Sequence, residues 1–459
     1  MTRRARFGYA RALLTLVALA ACDGKTSADS ARSSPPGAPA PAFTAPPGSM
    51  PLLSRTIPAT ASSSHAAWAQ DATYAAFAPD HMWTCKGDCW LAYDLSTVPE
   101  QQRSTLLVAL FFGGNVQYQL NVHALGGVDL RGLPTGGYRL EGATSGAGPW
   151  TTLVTVAPLA QASRVHRVDF RGYSWLRYAA SESTKLKMDV YSAAEGVPDG
   201  LLLAGDSIAN MQCVGLPQSW FATGVAQRAP GRFPPMVGGG IAFTTAVNGR
   251  DLLVTGKGDF TKEMGGPILE LLQGLPWLGL TFGTNDAAPG PSTNEEAFLK
   301  AYADIIRAAL GRGMRVAIAT ATWAPDPNRQ DGLKRLNGRI GLHPRTVPDW
   351  TRGSFQPLDH VWNGGKVYRC SKGGTSVTGP SGRGRDIADG GSARWEYLAS
   401  LRELFAAEVA QKKVVAGPDL YSLFKDQPGW IADGVHPNPT GSAEWRKAWV
   451  DWALATMYP

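Results

Sequence analysis

Four side chains in this 459-residue sequence have the chemistry to cut an ester together: Ser207, Asn285, Asp433 and His436. Ester cleavage by a protein nucleophile needs a hydroxyl, a base that takes its proton and a group that orients the base. Ser207 sits in Gly205-Asp206-Ser207-Ile208, directly after the apolar run Leu201-Leu202-Leu203-Ala204. Asp433 and His436 belong to Asp433-Gly434-Val435-His436, followed by Pro437. That Asp-x-x-His spacing lets one loop deliver both carboxylate and imidazole to a distant serine. Asn285, in Gly283-Thr284-Asn285-Asp286, can offer a side-chain N–H to a developing oxyanion. The backbone N–H of Ser207 and that of a glycine would add two more donors, and losing one such donor typically costs about 10²–10³ in rate. Taken singly, each residue has an ordinary structural reading. A serine after a strand caps a helix, Asn285 closes a turn, Asp433 caps the last helix region and His436 is a loop residue. Together they fall at strand ends and loops in the order a single site needs.

The elements that must hold these residues alternate strand and helix from about Lys185 onward. Leu201 to Ala204 reads as a buried parallel strand, as do Trp277 to Phe282, Val316 to Thr320 and the short Lys413 to Ala416. Ser292 to Gly311 is a helix with Phe298, Tyr302, Ile305 and Ala309 on one face; a capping box forms from Ser292 with Glu295 or from Thr293 with Glu296. Trp395 to Gln411 reads as another helix, and Trp445, Trp449 and Trp452 mark the buried face of a last one. This alternation implies a parallel sheet with helices on both faces. Residues from about Trp323 to Ala393 break the rhythm and read as a long polar, glycine-rich insertion, functional or disordered.

Gly205-Asp206-Ser207, Gly283-Thr284-Asn285-Asp286 and Asp433-x-x-His436 resemble blocks I, III and V of the SGNH (GDSL-type) hydrolases, over about residues 198–459. The resemblance implies a flavodoxin-like three-layer α/β domain. It makes Ser207 the nucleophile, His436 the base, Asp433 its orienting partner and Asn285 an oxyanion donor. The family's second block supplies an oxyanion glycine, which Met236-Val-Gly-Gly-Gly-Ile-Ala-Phe-Thr-Thr245 would carry. Gly239 is the preferred donor; a shifted register makes it Gly240, and one anchored on Ile241 makes it Phe243. The insertion departs from a compact family member. No metal or organic cofactor is implied.

Ahead of this domain the pattern is β. Trp90 to Leu95, Thr105 to Phe112, Val116 to Val122, Thr151 to Val156 and Arg164 to Phe170 are strand-like and separated by Gly/Pro turns. With Tyr138 to Gly142 and Tyr173 to Arg177, they resemble a galactose-binding-like jelly-roll sandwich. Such modules often bind glycans, and packing alone explains the domain equally well. The expected boundaries are a leader over 1–21, a flexible Ala/Pro/Ser-rich tether over 22–64, the sandwich over 65–184 and the α/β domain over 185–459.

Arg3, Arg4, Arg6 and Arg11 precede a short apolar run ending in Leu19-Ala20-Ala21-Cys22, which resembles a bacterial lipoprotein signal with Cys22 lipidated. An ordinary cleaved secretory peptide is the other reading. Either implies export, and the first a cell-envelope lipoprotein on the periplasmic side of the inner membrane or at the outer membrane. The formal net charge of +7 includes those four arginines, so the mature chain carries about +3 and makes no case for nucleic acid. Export permits disulfides among Cys85, Cys89, Cys213 and Cys370: the first two could close a small loop, and a Cys213–Cys370 bridge could pin the insertion over the site.

The reading that follows is a lipid-anchored serine esterase acting on acylated carbohydrate, most simply on O-acetyl groups. A lipase, thioesterase or O-acyltransferase could use the same triad, and a non-catalytic glycan-binding lipoprotein is the reading from a different class.

Overall fold

Leu201–Gly205 is buried along its whole length, and the reason is that it has strands on both sides. Met236–Gly240 pairs with it on one edge and Trp277–Thr281 on the other, both parallel, so that Leu203 lies opposite Gly238 and Gly279. Arg315–Ile318 and Val414–Ala416 complete a five-stranded parallel sheet. Numbered along the chain, the spatial order of these strands is second, first, third, fourth, fifth, which is the flavodoxin-like arrangement. A computed structural model describes residues 50–55, 57–69, 83–112, 136–157, 163–194, 199–212, 220–240, 244–257, 266–287 and 293–458, and structural statements below concern these.

The helices close the core around the sheet. Pro439–Thr456 buries Trp445, Trp449 and Trp452 as the sequence implies. Trp277 and Gly279, two apart and therefore on one face of their strand, meet Trp452 and Trp449; a Cβ on Gly279 would stand 2.8 Å from the Trp449 ring. Glu295–Gly311 buries Phe298, Tyr302, Ile305 and Ala309, and the Tyr302 hydroxyl bonds both the N–H and the carbonyl of Phe282. Its cap differs from the expected box: Asn294 accepts the Ala297 N–H at 3.0 Å, so the helix begins at Glu295. Among the described residues no helix is long and apolar enough to cross a membrane.

The preceding segment forms two antiparallel sheets around one core that includes Trp83, Tyr93, Phe112 and Tyr178. One sheet runs Ala59–Ala61, Cys89–Asp94, Trp175–Ala180, Tyr138–Ala143, Thr151–Val156; the other runs Trp83–Cys85, Thr184–Ser192, Thr105–Phe112, Ser163–Asp169. A Cys85–Cys89 disulfide joins the two sheets at the short connection between them. Leu106 to Leu110 are fully buried, without the alternation of a half-exposed strand. Both faces of this sheet are covered, because Leu107, Ala109, Val165 and Tyr191 belong to the core of the α/β domain. The expected strand from Val116 to Val122 lies outside the described residues, as do the leader with Cys22, and Cys213.

Four expectations are corrected. The 184/185 boundary cuts through Thr184–Ser192, a central strand of the second antiparallel sheet; the first strand of the α/β domain starts only at Leu201. The tether does not extend to residue 64: Met50, Leu52 and Leu53 are buried, and Ala59–Ala61 pairs with Cys89–Asp94. Trp395 does not begin a helix. Arg394–Leu398 is a strand, followed by the short helices Leu401–Leu404 and Ala406–Ala410. The stretch from Trp323 to Ala393 is neither loop nor disorder. It begins with helix Pro327–Ile340, capped by Asp326 and ended by Gly341 in the left-handed region. His360–Asn363, Lys366–Lys372, Arg394–Leu398 and Ile387–Ala388 then form a small antiparallel sheet over Val361, Tyr368, Cys370 and Trp395.

A buried charge cluster fastens this small sheet to the domain. Glu295 accepts from Arg369 at 2.8 Å and Arg339 at 2.9 Å, with the three side chains 11%, 7% and 9% exposed. Burial opposes ionisation of Glu295, but the bonds from Arg369 and Arg339 outweigh it and hold its carboxyl below the ordinary value. Glu295→Ala would leave two arginines buried with fewer counter-charges. We expect a loss of about 3 kcal/mol in urea unfolding, with a smaller loss for Glu295→Gln; an unchanged midpoint would show that the cluster does not hold the sheet.

Candidate active site

Ser207 begins the short helix Ser207–Met211, immediately beyond the carboxyl end of Leu201–Gly205. Asp206 caps it, accepting the Ile208 N–H at 3.1 Å. In flavodoxin-like sheets the crevice lies outside the carboxyl ends where strand order reverses, here between Leu201–Gly205 and Trp277–Thr281. Ser207 follows the first of these strands and Asn285 the second. Asp433 and His436 arrive from the far end of the chain, on the turn before helix Pro439–Thr456.

The structure brings Ser207, His436 and Asp433 together in one line. Ser207 Oγ lies 2.9 Å from His436 Nε2, and His436 Nδ1 lies 2.7 Å from Asp433 Oδ2. A carboxylate only accepts, so Nδ1 carries the proton and donates it, and the neutral ring then presents Nε2 as the acceptor for the Ser207 hydroxyl. Asp433 divides its labour. Oδ1 accepts the backbone N–H of Val435 at 3.0 Å and of His436 at 2.7 Å, which shapes the turn, while Oδ2 holds the ring. Burial works against ionising Asp433, but these bonds prevail and hold its carboxyl below the usual range. Asp433 does not cap the last helix; Asn438 does, accepting the Gly441 N–H at 2.9 Å.

Asn285 donates from Nδ2 to the Thr244 carbonyl at 3.1 Å. The second N–H of that amide has no partner among the described residues. Gly239 lies opposite Ala204 in the edge strand, one residue before the strand ends at Gly240 opposite Gly205. Glycine is required at Gly240, where a Cβ would sit 1.7 Å from the Asp206 carbonyl oxygen. It is required again at Gly238, with φ +126° and a Cβ 2.1 Å from the Leu203 oxygen. The side chain of Asn210 fixes this strand end by donating to the Gly240 carbonyl at 2.8 Å. Ile241 and Phe243, which anchor the third register, lie outside the described residues.

Cys370 is a buried free thiol that donates to the Lys372 carbonyl; Cys213, its possible partner, lies outside the described residues. The Cys85–Cys89 loop closure is present. Among the described residues no group of His, Cys, Asp and Glu side chains is arranged to hold a metal ion.

Two acids in the same motifs have roles that the sequence reading missed. Asp286 accepts the Ala246 N–H on both oxygens, at 3.1 and 3.0 Å, and so ties the Asn285 turn to the segment that follows the edge strand. Arg329 steadies the same turn by donating to the Thr284 carbonyl at 2.7 Å. Burial pushes the Asp286 carboxyl up to about 7; the Ala246 N–H opposes this and the charge of Asp206 adds to it. Burial likewise lifts Asp206 to about 6 against the N–H groups of Ile208 and Thr284. The signal for both was their position beside Ser207 and Asn285.

No protein-family model matches the chain, and no curated protein matches it. Solved structures similar to it include a lipase/acylhydrolase from Enterococcus faecalis, 16% identical, covering 56% of this chain and 96% of that one, with a TM-score of 0.32. A catalytic mutant of an acetylxylan esterase from Geobacillus stearothermophilus is 13% identical, covers 57% and 94%, and has a TM-score of 0.31. A mutant of a chitosan-binding module from a Paenibacillus chitosanase/glucanase is 15% identical, covers 30% and 97%, and has a TM-score of 0.22.

The buried acids make stability fall with rising pH. An aspartate that titrates near 4 when unfolded and at about 7 when folded, as Asp286 does, binds more protons in the native state between those values. Its contribution is present below about pH 4 and lost as pH rises through about 7. Thermal melts from pH 4 to 8 should therefore show a smaller fall in Tm for Asp286→Asn than for the wild type. Parallel curves would remove the assignment.

Proposed function

We propose that this chain is a serine ester hydrolase of the SGNH (GDSL-type) superfamily that removes acyl groups, most simply acetyl, from carbohydrate. The observation that carries the reading is the unbroken Ser207–His436–Asp433 relay at the carboxyl edge of a flavodoxin-like sheet. His436 takes the Ser207 proton through Nε2 as Oγ attacks the ester carbonyl carbon. The Ser207 and Gly239 backbone N–H groups and the second N–H of the Asn285 amide receive the charge that develops on the carbonyl oxygen. The carbohydrate hydroxyl leaves with the proton from His436, and the acyl group stays on Ser207. Water, deprotonated by the same ring, then releases the acid and restores the hydroxyl.

The carbohydrate part of the reading rests on the two antiparallel sheets ahead of the hydrolase domain, which we take as a glycan-binding module of jelly-roll type. An acetylxylan esterase among similar structures names the same class of substrate for that protein. Export with a lipid on Cys22 would set the enzyme at the cell envelope, and the Cys85–Cys89 disulfide suits an oxidising compartment.

Hydrolysis of p-nitrophenyl acetate should fall at least about 10³-fold in Ser207→Ala; a rate equal to the wild type would end the catalytic assignment. Asp433→Asn keeps an oxygen for the two backbone N–H groups but loses the charge that orients the ring. It should melt near the wild-type temperature and still lose about 10²–10⁴ in kcat. Acetate release from acetylated polysaccharides, compared with esters of lengthening acyl chain, tests the substrate: a preference for long chains would overturn the carbohydrate reading.

A further inference from the structure

We infer that a cavity of about 310 Å³ beyond the carboxyl ends of Arg315–Ile318 and Val414–Ala416 binds an anionic sugar unit of the substrate, carrying carboxylate or sulfate. The inference rests on the hydrolase reading above and adds the charge of the substrate to it.

The cavity has the size of a small-molecule site and is walled by three separate parts of the chain. Helix Pro327–Ile340 contributes Lys334, the inserted segment Arg345 and Phe355, and helix Leu420–Lys425 contributes Tyr421 and Lys425. Lys334 and Lys425 make no ion pair among the described residues, and Arg345 meets Asp426 at 2.6 Å. The acids nearby are engaged only in part. Asp359 accepts the Gln356 N–H at 2.7 Å, and Asp419 accepts the Ser422 N–H and the Thr320 hydroxyl, both at 3.1 Å. Asp331 is exposed to solvent. His360 also lines the cavity, but burial, with Arg369 adding to it, drives its imidazole down to about 3, so it adds no charge. The Asp359 carboxylate also lines the cavity, so Lys334, Lys425 and Arg345 face a concave space with one acid in its wall, and the two lysines make no ion pair with it.

Tyr421 points to a ligand independently. It is only 6% exposed, and its hydroxyl makes no hydrogen bond among the described residues. Burial, with Asp331 adding to it, pushes that hydroxyl up to about 12, so it remains a donor at any physiological pH. Phe355 supplies an apolar ring for the face of a sugar.

The location suits a subsite. The Tyr421 N–H donates to Thr320 Oγ1 at 2.7 Å, which fixes this wall at the carboxyl edge of the sheet. Ser207 stands on the same edge, and Val414–Ala416 is three strands from Leu201–Gly205. At about 4.8 Å per strand the separation is roughly 14 Å, within the span of an oligosaccharide lying along the crest.

Calorimetric titration with tri-galacturonate, a sulfated galactose trisaccharide and neutral galactotriose tests the site. We expect at least one anionic probe to bind more tightly than galactotriose, the tighter of the two naming the group. Its Kd should weaken at least tenfold in Lys334→Gln/Lys425→Gln, recover in Lys334→Arg/Lys425→Arg, and stay unchanged in Lys447→Gln on helix Pro439–Thr456. Equal Kd values for the wild type and the Gln double variant, or no preference for either anion over galactotriose, would overturn the inference. Binding needs no turnover and should persist in Ser207→Ala, so failure of this site is distinct from failure of the hydrolase reading, which p-nitrophenyl acetate reports.

Discussion

The backbone pairing of Leu201–Gly205 with a neighbour on each side is the constraint on which the site depends. Because both edges of the strand are occupied, its carboxyl end is fixed against two others, and Ser207 inherits that rigidity through a single turn. The closeness has a steric cost. Gly238 and Gly240 have no room for a side chain because the edge strand is drawn against the backbone of Leu203 and Asp206. The edge strand is therefore built from backbone alone at these positions, and nothing bulkier could stand there.

Polar contacts then transmit the rigidity sideways. Asp286 grips the Ala246 N–H, Asn285 reaches the Thr244 carbonyl, and Asn210 holds the Gly240 carbonyl. These three bonds join the ends of neighbouring strands into one frame around Ser207. Two carboxyls, Asp206 and Asp286, sit in that frame, both pushed up by burial, and the charge of Asp206 raises Asp286 further. The acid that serves His436 is different in kind: Asp433 is 58% exposed on its side chain and kept ionised by its own turn. His436 therefore has an ionised partner over a pH range in which Asp206 and Asp286 still carry protons.

Much of this was legible in the sequence, for physical reasons. Ser207 and Asn285 stand at the ends of apolar runs, where an α/β sheet exposes side chains, and Asp433 and His436 share one loop at a spacing that a single turn can deliver. The unbroken run Leu106 to Phe112 has no polar alternation because both faces of its sheet are covered. What was misread lacked a local signal. Trp395 to Gln411 reads as a helix from the sequence, but a sheet partner for its first residues, Lys366–Lys372, decides the matter and lies well upstream. Leu52, Leu53 and Ile57 are few among prolines and alanines, so their burial could not be inferred from composition. Helix Pro327–Ile340 did carry its cap, Asp326 before a proline, and its stop, Gly341; the many polar residues between obscured them. The cluster at Glu295 unites residues too far apart in the chain to suggest one another.

Asp199 has a consequence for how the molecule is presented. Its carboxylate receives the Met50 N–H at 2.7 Å and the hydroxyl of Tyr458, so both extremities of the described fold meet at one side chain. That side chain lies just before Leu201, at the amino end of the strand whose carboxyl end leads to Ser207. Five strand residues, roughly 17 Å, separate the two poles. The crest bearing Ser207 therefore lies at the pole opposite the one where Met50 and Tyr458 meet.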